Sequence, residues 1–232
     1  MDSKPRLLTI IDIVTVVLLL IATYMVFFYA PQEAVMGDVQ RVFYFHVAAG
    51  WVGMLGLIGA AVAGIIYLIK KDRKWDIVGL AAVEIGIVFI FINIVTGSIW
   101  ARPIWNTWWT WDPRLTTATV MLLIYFAYLM LRQGIEDPDR RARFAAVYAI
   151  VWSLSVPLTY FSARIFRTIH PIVIGGGDPS TTGSFDMTTM MTQTFMFSLL
   201  TFTFIFIDLF WRRIRLGRKA DQVEQLRLKT ME

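Results

Sequence analysis

Residues 42–69 read VFYFHVAAGWVGMLGLIGAAVAGIIYLI, with no Asp, Glu, Lys or Arg interrupting the run. As a helix this stretch is about 40 Å long, more than the ~30 Å hydrocarbon thickness of a bilayer. Five further apolar runs accompany it, at about 7–30, 77–97, 115–131, 144–161 and 188–211. Backbone in lipid finds no water to bond, so each run must satisfy its own N–H and C=O groups as a helix. The expected fold is therefore all-α, a polytopic integral membrane protein of six transmembrane helices. A hydrophobic fraction of 57% and a mean hydropathy of +0.60 agree with it. Little chain remains outside the spans, leaving no room for a separate soluble catalytic module.

The short connections sort by charge. The N-terminus with Lys4 and Arg6, the 70–76 loop, the 132–143 loop and the segment from Arg212 onward hold 17 of the 22 basic residues. The other side holds Arg41, Arg102, Arg114, Arg164 and Arg167. Basic loops stay cytoplasmic, so both termini are expected inside and the second group outside. This bias and attraction to anionic lipid account for the net charge of +5, which gives no argument for nucleic acid. The organisation expected is a transmembrane domain over 1–211, with an outward Trp-rich loop at 98–114, and a cytoplasmic basic tail over 212–232. That tail reads as a short polar helix or a disordered extension.

There is no cysteine, which excludes a CxxC redox pair, a thiolate ligand and haem self-attachment through CxxCH. No GxxxxGK[ST] loop occurs, and GGGDPST at 175–181 reads as a flexible outer loop. Phe161, Ile165, Phe166 and Ile169 alternate with Arg164 and Arg167 as in an interfacial helix after the fifth span, which Pro157 is expected to kink.

Chemistry concentrates on the outer side. Trp100, Trp105, Trp108, Trp109 and Trp111 crowd into WARPIWNTWWTWDPR at 100–114. Such a cluster serves either as an interfacial belt or as a stacking surface for a large planar ligand. The chain's two histidines, His46 and His170, share that side. Two neutral imidazoles on opposite faces of one iron make a bis-His haem site with aromatic walls. Arg41, Arg102, Arg114, Arg164 and Arg167 each lie near a histidine or the tryptophans, where a guanidinium can neutralise a propionate; lipid headgroups are the alternative partners. Asp112 before Pro113 reads as the N-cap of span four. Ala49, Gly50, Gly53, Gly56, Ala60 and Gly64 form a small-residue face below His46, suited to close helix packing or to a depression beneath a ring. Asp12, Glu84 and Asp208 lie in or at the edge of spans, where carboxylates are usually paired or functional.

Trp105–Thr116, WNTWWTWDPRLT, with an outward histidine on either side, resembles the haem-handling proteins of cytochrome c maturation. With six spans it is similar to the CcmC (haem exporter protein C) family. The resemblance covers nearly the whole chain. It implies non-covalent haem b held at the outer face of a bacterial inner (plasma) membrane, with His46 and His170 as iron ligands and the tryptophans packed on the ring. It also implies delivery to the chaperone CcmE, with CcmA and CcmB as ABC transporter subunits and the small CcmD as partners. The chain would be a carrier rather than an enzyme. Two other readings stay open: a bis-His haem subunit of a quinone-linked electron-transfer complex, and a permease subunit without cofactor whose tryptophans form only a belt.

Overall fold

The computed structural model describes residues 5–34, 36–171 and 187–231; the 175–181 glycine run lies outside them. The described residues hold six helical segments long and apolar enough to cross a membrane. They run as α1 (Arg6–Tyr24), α2 (Arg41–Lys70), α3 (Arg73–Trp105), α4 (Pro113–Gln133), α5 (Pro138–Trp152) with α6 (Ser155–Ile165), and α7 (Thr189–Met231). The protein is a multi-pass membrane protein, as the apolar runs predict.

The centre of the bundle is the α2–α3 pair. A Cβ on Gly53 would meet the Ile90 side chain at 2.8 Å, and one on Gly50 the Asn93 amide at 2.7 Å. Glycine at these positions lets two helices approach to backbone distance, where dispersion and weak polar contacts replace the hydrophobic drive that lipid does not supply. The small-residue face is thus a packing seam. Met121, Tyr125 and Tyr128 of α4 close the core against Ile87 and Ile90.

Ion pairs tie together the helix ends remote from the tryptophans. Arg132 makes a two-pronged pair with Asp76, at 2.5 and 2.9 Å, both side chains being about nine-tenths buried. Arg212 joins Asp12 of α1 to Asp208, and Arg213 reaches Glu84 at 2.9 Å. The carboxylates within the spans are therefore matched by cations, for Asp12, Asp76 and Glu84 on a neighbouring helix and for Asp208 on its own, as the cost of a lone charge in lipid requires. α7 continues through residue 211 without a break. At about 65 Å it outruns the bilayer, and Arg73 meets its extension at Asp221, 3.1 Å away.

Two local expectations are revised, and the break expected from Pro157 is found. The third span does not end at 97: α3 runs on through Pro103 to Trp105 and stops at Asn106, whose φ of 55° is a left-handed cap. Asparagine tolerates that conformation, and its carbonyl accepts a 2.9 Å bond from Arg102. Trp100 and Trp105 are therefore helical, and the loop proper is 106–112. The fifth span breaks at Ser153–Leu154, because the ring of Pro157 clashes with the carbonyl four residues earlier and supplies no N–H. No interfacial helix follows that span within the described residues. α6 ends at Ile165, Phe166 is extended, and 166–171 is irregular, so Phe161 and Ile165 owe their helical spacing to the span itself.

Candidate functional site

At the end of the bundle opposite those ion pairs, α2, α3, α4, α6 and the 166–171 segment surround a two-lobed cleft. One lobe is lined by Trp100, Trp105, Trp109, Leu115, Ala118 and Met121. The other is lined by Val47, Gly50, Trp51, Tyr160, Ala163 and Arg164. His46, Met54, Asn93, Arg114 and His170 belong to both. The two histidines, 124 positions apart in sequence, thus open on one cleft.

His46 projects from the second turn of α2 onto α3. Its Nδ1 lies 2.9 Å from the Asn93 carbonyl. A carbonyl only accepts, so Nδ1 carries the proton and Nε2 keeps its lone pair. The Asn93 amide donates to the His46 carbonyl at 2.8 Å and lies 3.2 Å from Nδ1 and 3.5 Å from Nε2. Gly97 makes room for the ring, since a Cβ there would stand 2.9 Å from its Cε1.

His170 reaches the same tautomer by another route. Its Nδ1 is 3.0 Å from the Pro171 carbonyl, again leaving Nε2 as an acceptor. Burial pushes its pKa down to about 3, with Arg114 and His46 adding in the same direction. The imidazole is consequently neutral at physiological pH, the form in which it can ligate a metal.

Asp112 caps α4, accepting from the Arg114 N–H at 2.9 Å, with Pro113 in the first helical position. It also binds the 166–171 segment: Thr168 Oγ1 donates to Oδ1 at 2.5 Å and the Ile169 N–H to Oδ2 at 2.9 Å. Arg114 donates to the Thr159 carbonyl of α6, which fixes its guanidinium across the cleft.

Residues 1–229 match the family described as CcmC, Heme exporter protein C. The chain belongs to the heme exporter protein C family. It is 30% identical over 227 residues to the heme exporter protein C of Rhodobacter capsulatus, covering 97% of this chain and 92% of that protein. To that of Bradyrhizobium diazoefficiens it is 33% identical over 165 residues, 71% of this chain and 62% of the relative. To that of Escherichia coli K12 it is 33% identical over 158 residues, 68% and 64%.

Within this member of the heme exporter protein C family the sequence-predicted site residues divide. His46, His170, Trp100, Trp105, Trp109, Arg114 and Arg164 line the cleft, and Asp112 borders it. Trp108 and Trp111 are 60% and 75% exposed and face away from it, although Trp111 packs edge-on against Trp109, ring centres 5.9 Å apart. Arg41 donates to the Val26 and Ala30 carbonyls at the π-helical end of α1 and pairs with Asp38. It closes the α1–α2 connection instead of lining the cleft. Arg102 is spent on the Asn106 cap, and Arg167 is exposed.

Asn93, Gly97, Trp51, Tyr160 and Thr96, whose hydroxyl lies 3.2 Å from His46 Nδ1, are site residues that reading the sequence overlooked. Only Asn93 carried a signal: an amide in the middle of an apolar run is expensive in lipid and needs partners.

Proposed function

We propose that the chain handles haem for cytochrome c maturation, holding it in the cleft as cargo with His46 and His170 on opposite faces of the iron. One observation carries the reading: both imidazoles open on the same cleft, each with Nδ1–H committed to a backbone carbonyl and Nε2 left to ligate. Two nitrogens are too few for a bare metal ion, and no group of three or more His, Cys, Asp or Glu able to hold one occurs among the described residues. They suit an iron whose four equatorial positions are already filled by a macrocycle.

The walls fit the same cargo. Trp100 and Trp105 meet edge-on with centres 5.3 Å apart, and together with Trp109 they give a broad apolar surface for a porphyrin. The Trp100 indole N–H is buried with no partner among the described residues. Arg114, which donates to the Thr159 carbonyl, and Arg164, 4.9 Å over the Tyr160 ring, line the cleft and are the cations for the propionates, whereas Arg41 and Arg102 lie outside it. Placement of His170 on an irregular segment favours a carrier over an electron-transfer subunit, whose haem is buried between helices.

The excess of basic residues at the ion-paired end supports a cytoplasmic position for that end and a periplasmic one for the cleft. Haem b held there is presented to a CcmE-type chaperone. The chain carries no GxxxxGK[ST] loop, which fits a protein that leaves ATP hydrolysis to the ATPase CcmA, with the permease CcmB and the small CcmD completing the assembly. The direct test is an absorption spectrum of the detergent-purified protein. A six-coordinate low-spin spectrum is expected, becoming five-coordinate or losing haem in His46→Ala and in His170→Ala. An unaltered spectrum in either variant removes that residue from the iron.

A further inference from the structure

The two imidazoles are held in different ways. His46 stands on a long helix whose face is locked into α3 by glycine contacts and by Asn93. His170 stands on an irregular segment, and among the described residues the hydrogen bonds that tie 167–171 to another part of the fold both end on Asp112. Thr168 is the link. Its hydroxyl donates to Asp112 Oδ1 and its oxygen accepts the His170 N–H at 3.0 Å. A continuous chain of bonds therefore runs from the first turn of α4 through one carboxylate and one hydroxyl to the backbone of the second histidine.

We propose that Asp112 and Thr168 form a latch that positions His170, and that haem leaves from the His170 side when this latch opens, His46 remaining bound until last. Both are positioning residues, and the proposal rests on the haem reading above. The geometry explains why a carboxylate serves better than any other cap. One oxygen must accept from two donors, the Arg114 N–H and the Thr168 hydroxyl, while the second accepts from the Ile169 N–H. Serine or asparagine can cap the helix, but neither offers two acceptor oxygens. An acceptor protein that brings its own iron ligand meets least resistance where a short segment is held by two bonds, and most where a helix pair would have to separate.

The test uses full-length protein in detergent, with and without haem, and the variants Thr168→Val, Thr168→Ser and Asp112→Asn. In the haem-free protein, Thr168→Val should speed tryptic cleavage after Arg167 and amide exchange at Ile169 and His170, while Thr168→Ser keeps wild-type protection. In the haem-loaded protein, Thr168→Val should turn a six-coordinate spectrum five-coordinate with haem still bound, and added imidazole should restore the six-coordinate form. Haem transfer to excess apomyoglobin should accelerate by about tenfold or more, the scale of losing hydrogen bonds to a charged group. Asp112→Asn should fall between, since its amide keeps one acceptor and turns the other into a donor facing the Ile169 N–H. Wild-type proteolysis, spectrum and transfer in Thr168→Val would overturn the latch. So would failure of that near-isosteric variant to accumulate, which would make the contact a general scaffold. If His170→Ala leaves the spectrum unchanged while Thr168→Val still loosens the segment, the haem assignment fails and not the attachment.

Discussion

Replacing Gly97 by alanine tests how tightly the first imidazole is held. The added Cβ would stand 2.9 Å from His46 Cε1 and 3.4 Å from Nδ1, against an ordinary contact of 3.4–4 Å. The ring must move by about 0.5–1 Å, which carries the 2.9 Å bond from Nδ1 to the Asn93 carbonyl toward the limit of hydrogen bonding. Overpacking of this kind costs about 1–3 kcal/mol, offset by roughly 0.5–1 kcal/mol from removing a mid-helix glycine. At midrange the net is about 1 kcal/mol, and it falls on ligand placement, because the ring yields before the helix backbone does. Haem dissociation into excess apomyoglobin should therefore quicken by about fivefold, with normal abundance of the membrane protein. Gly59→Ala is the internal control: nothing lies within 4 Å of its Cβ position, so it should leave haem retention unchanged. Wild-type dissociation in Gly97→Ala would refute the proposition that α3 orients His46.

The tryptophans should separate by position: alanine at Trp100, Trp105 or Trp109 lowers haem retention, whereas alanine at exposed Trp108 or Trp111 leaves retention intact, as haem-to-protein ratios after purification will show. A cysteine at Trp111 in this otherwise cysteine-free chain should react with a membrane-impermeant maleimide in intact spheroplasts; labelling only after lysis would reverse the topology. Arg132→Ala should destabilise by about 3–5 kcal/mol by stranding buried Asp76, read as lost abundance and a lower detergent Tm. The double change Arg132→Met with Asp76→Leu should recover most of that loss, and equal damage in the double variant would show that the pair matters for more than charge.

The six spans, the cap at Asp112 and the side of the membrane that gathers His46, His170 and the tryptophans were all legible in the chain. Each follows from a local rule. Lipid forces an apolar run to be helical, and Asp-Pro preorganises a helix start. Where the end of the apolar run at 97 suggested an end to α3, the local signal misled: the terminating residue is Asn106, and a helix near its C-terminus tolerates Pro103, whose cost falls on a single turn. The choice of which tryptophans face inward was not legible either, because five indoles in fifteen residues have the same composition however α3 rotates and the 106–112 loop folds. Asn93 shows the limit most plainly. As a letter it is one polar residue in an apolar run. It becomes the partner of His46 only because Gly50, Gly53 and Gly97 let α2 and α3 approach closely enough for an amide and an imidazole to meet. Sequence determined which segments cross the membrane and which chemistry reaches one side of it. Tertiary structure alone decided that two histidines 124 positions apart open on one cleft, since that convergence depends on helix rotation and interhelical distance, quantities set by packing between segments and written in none of them singly.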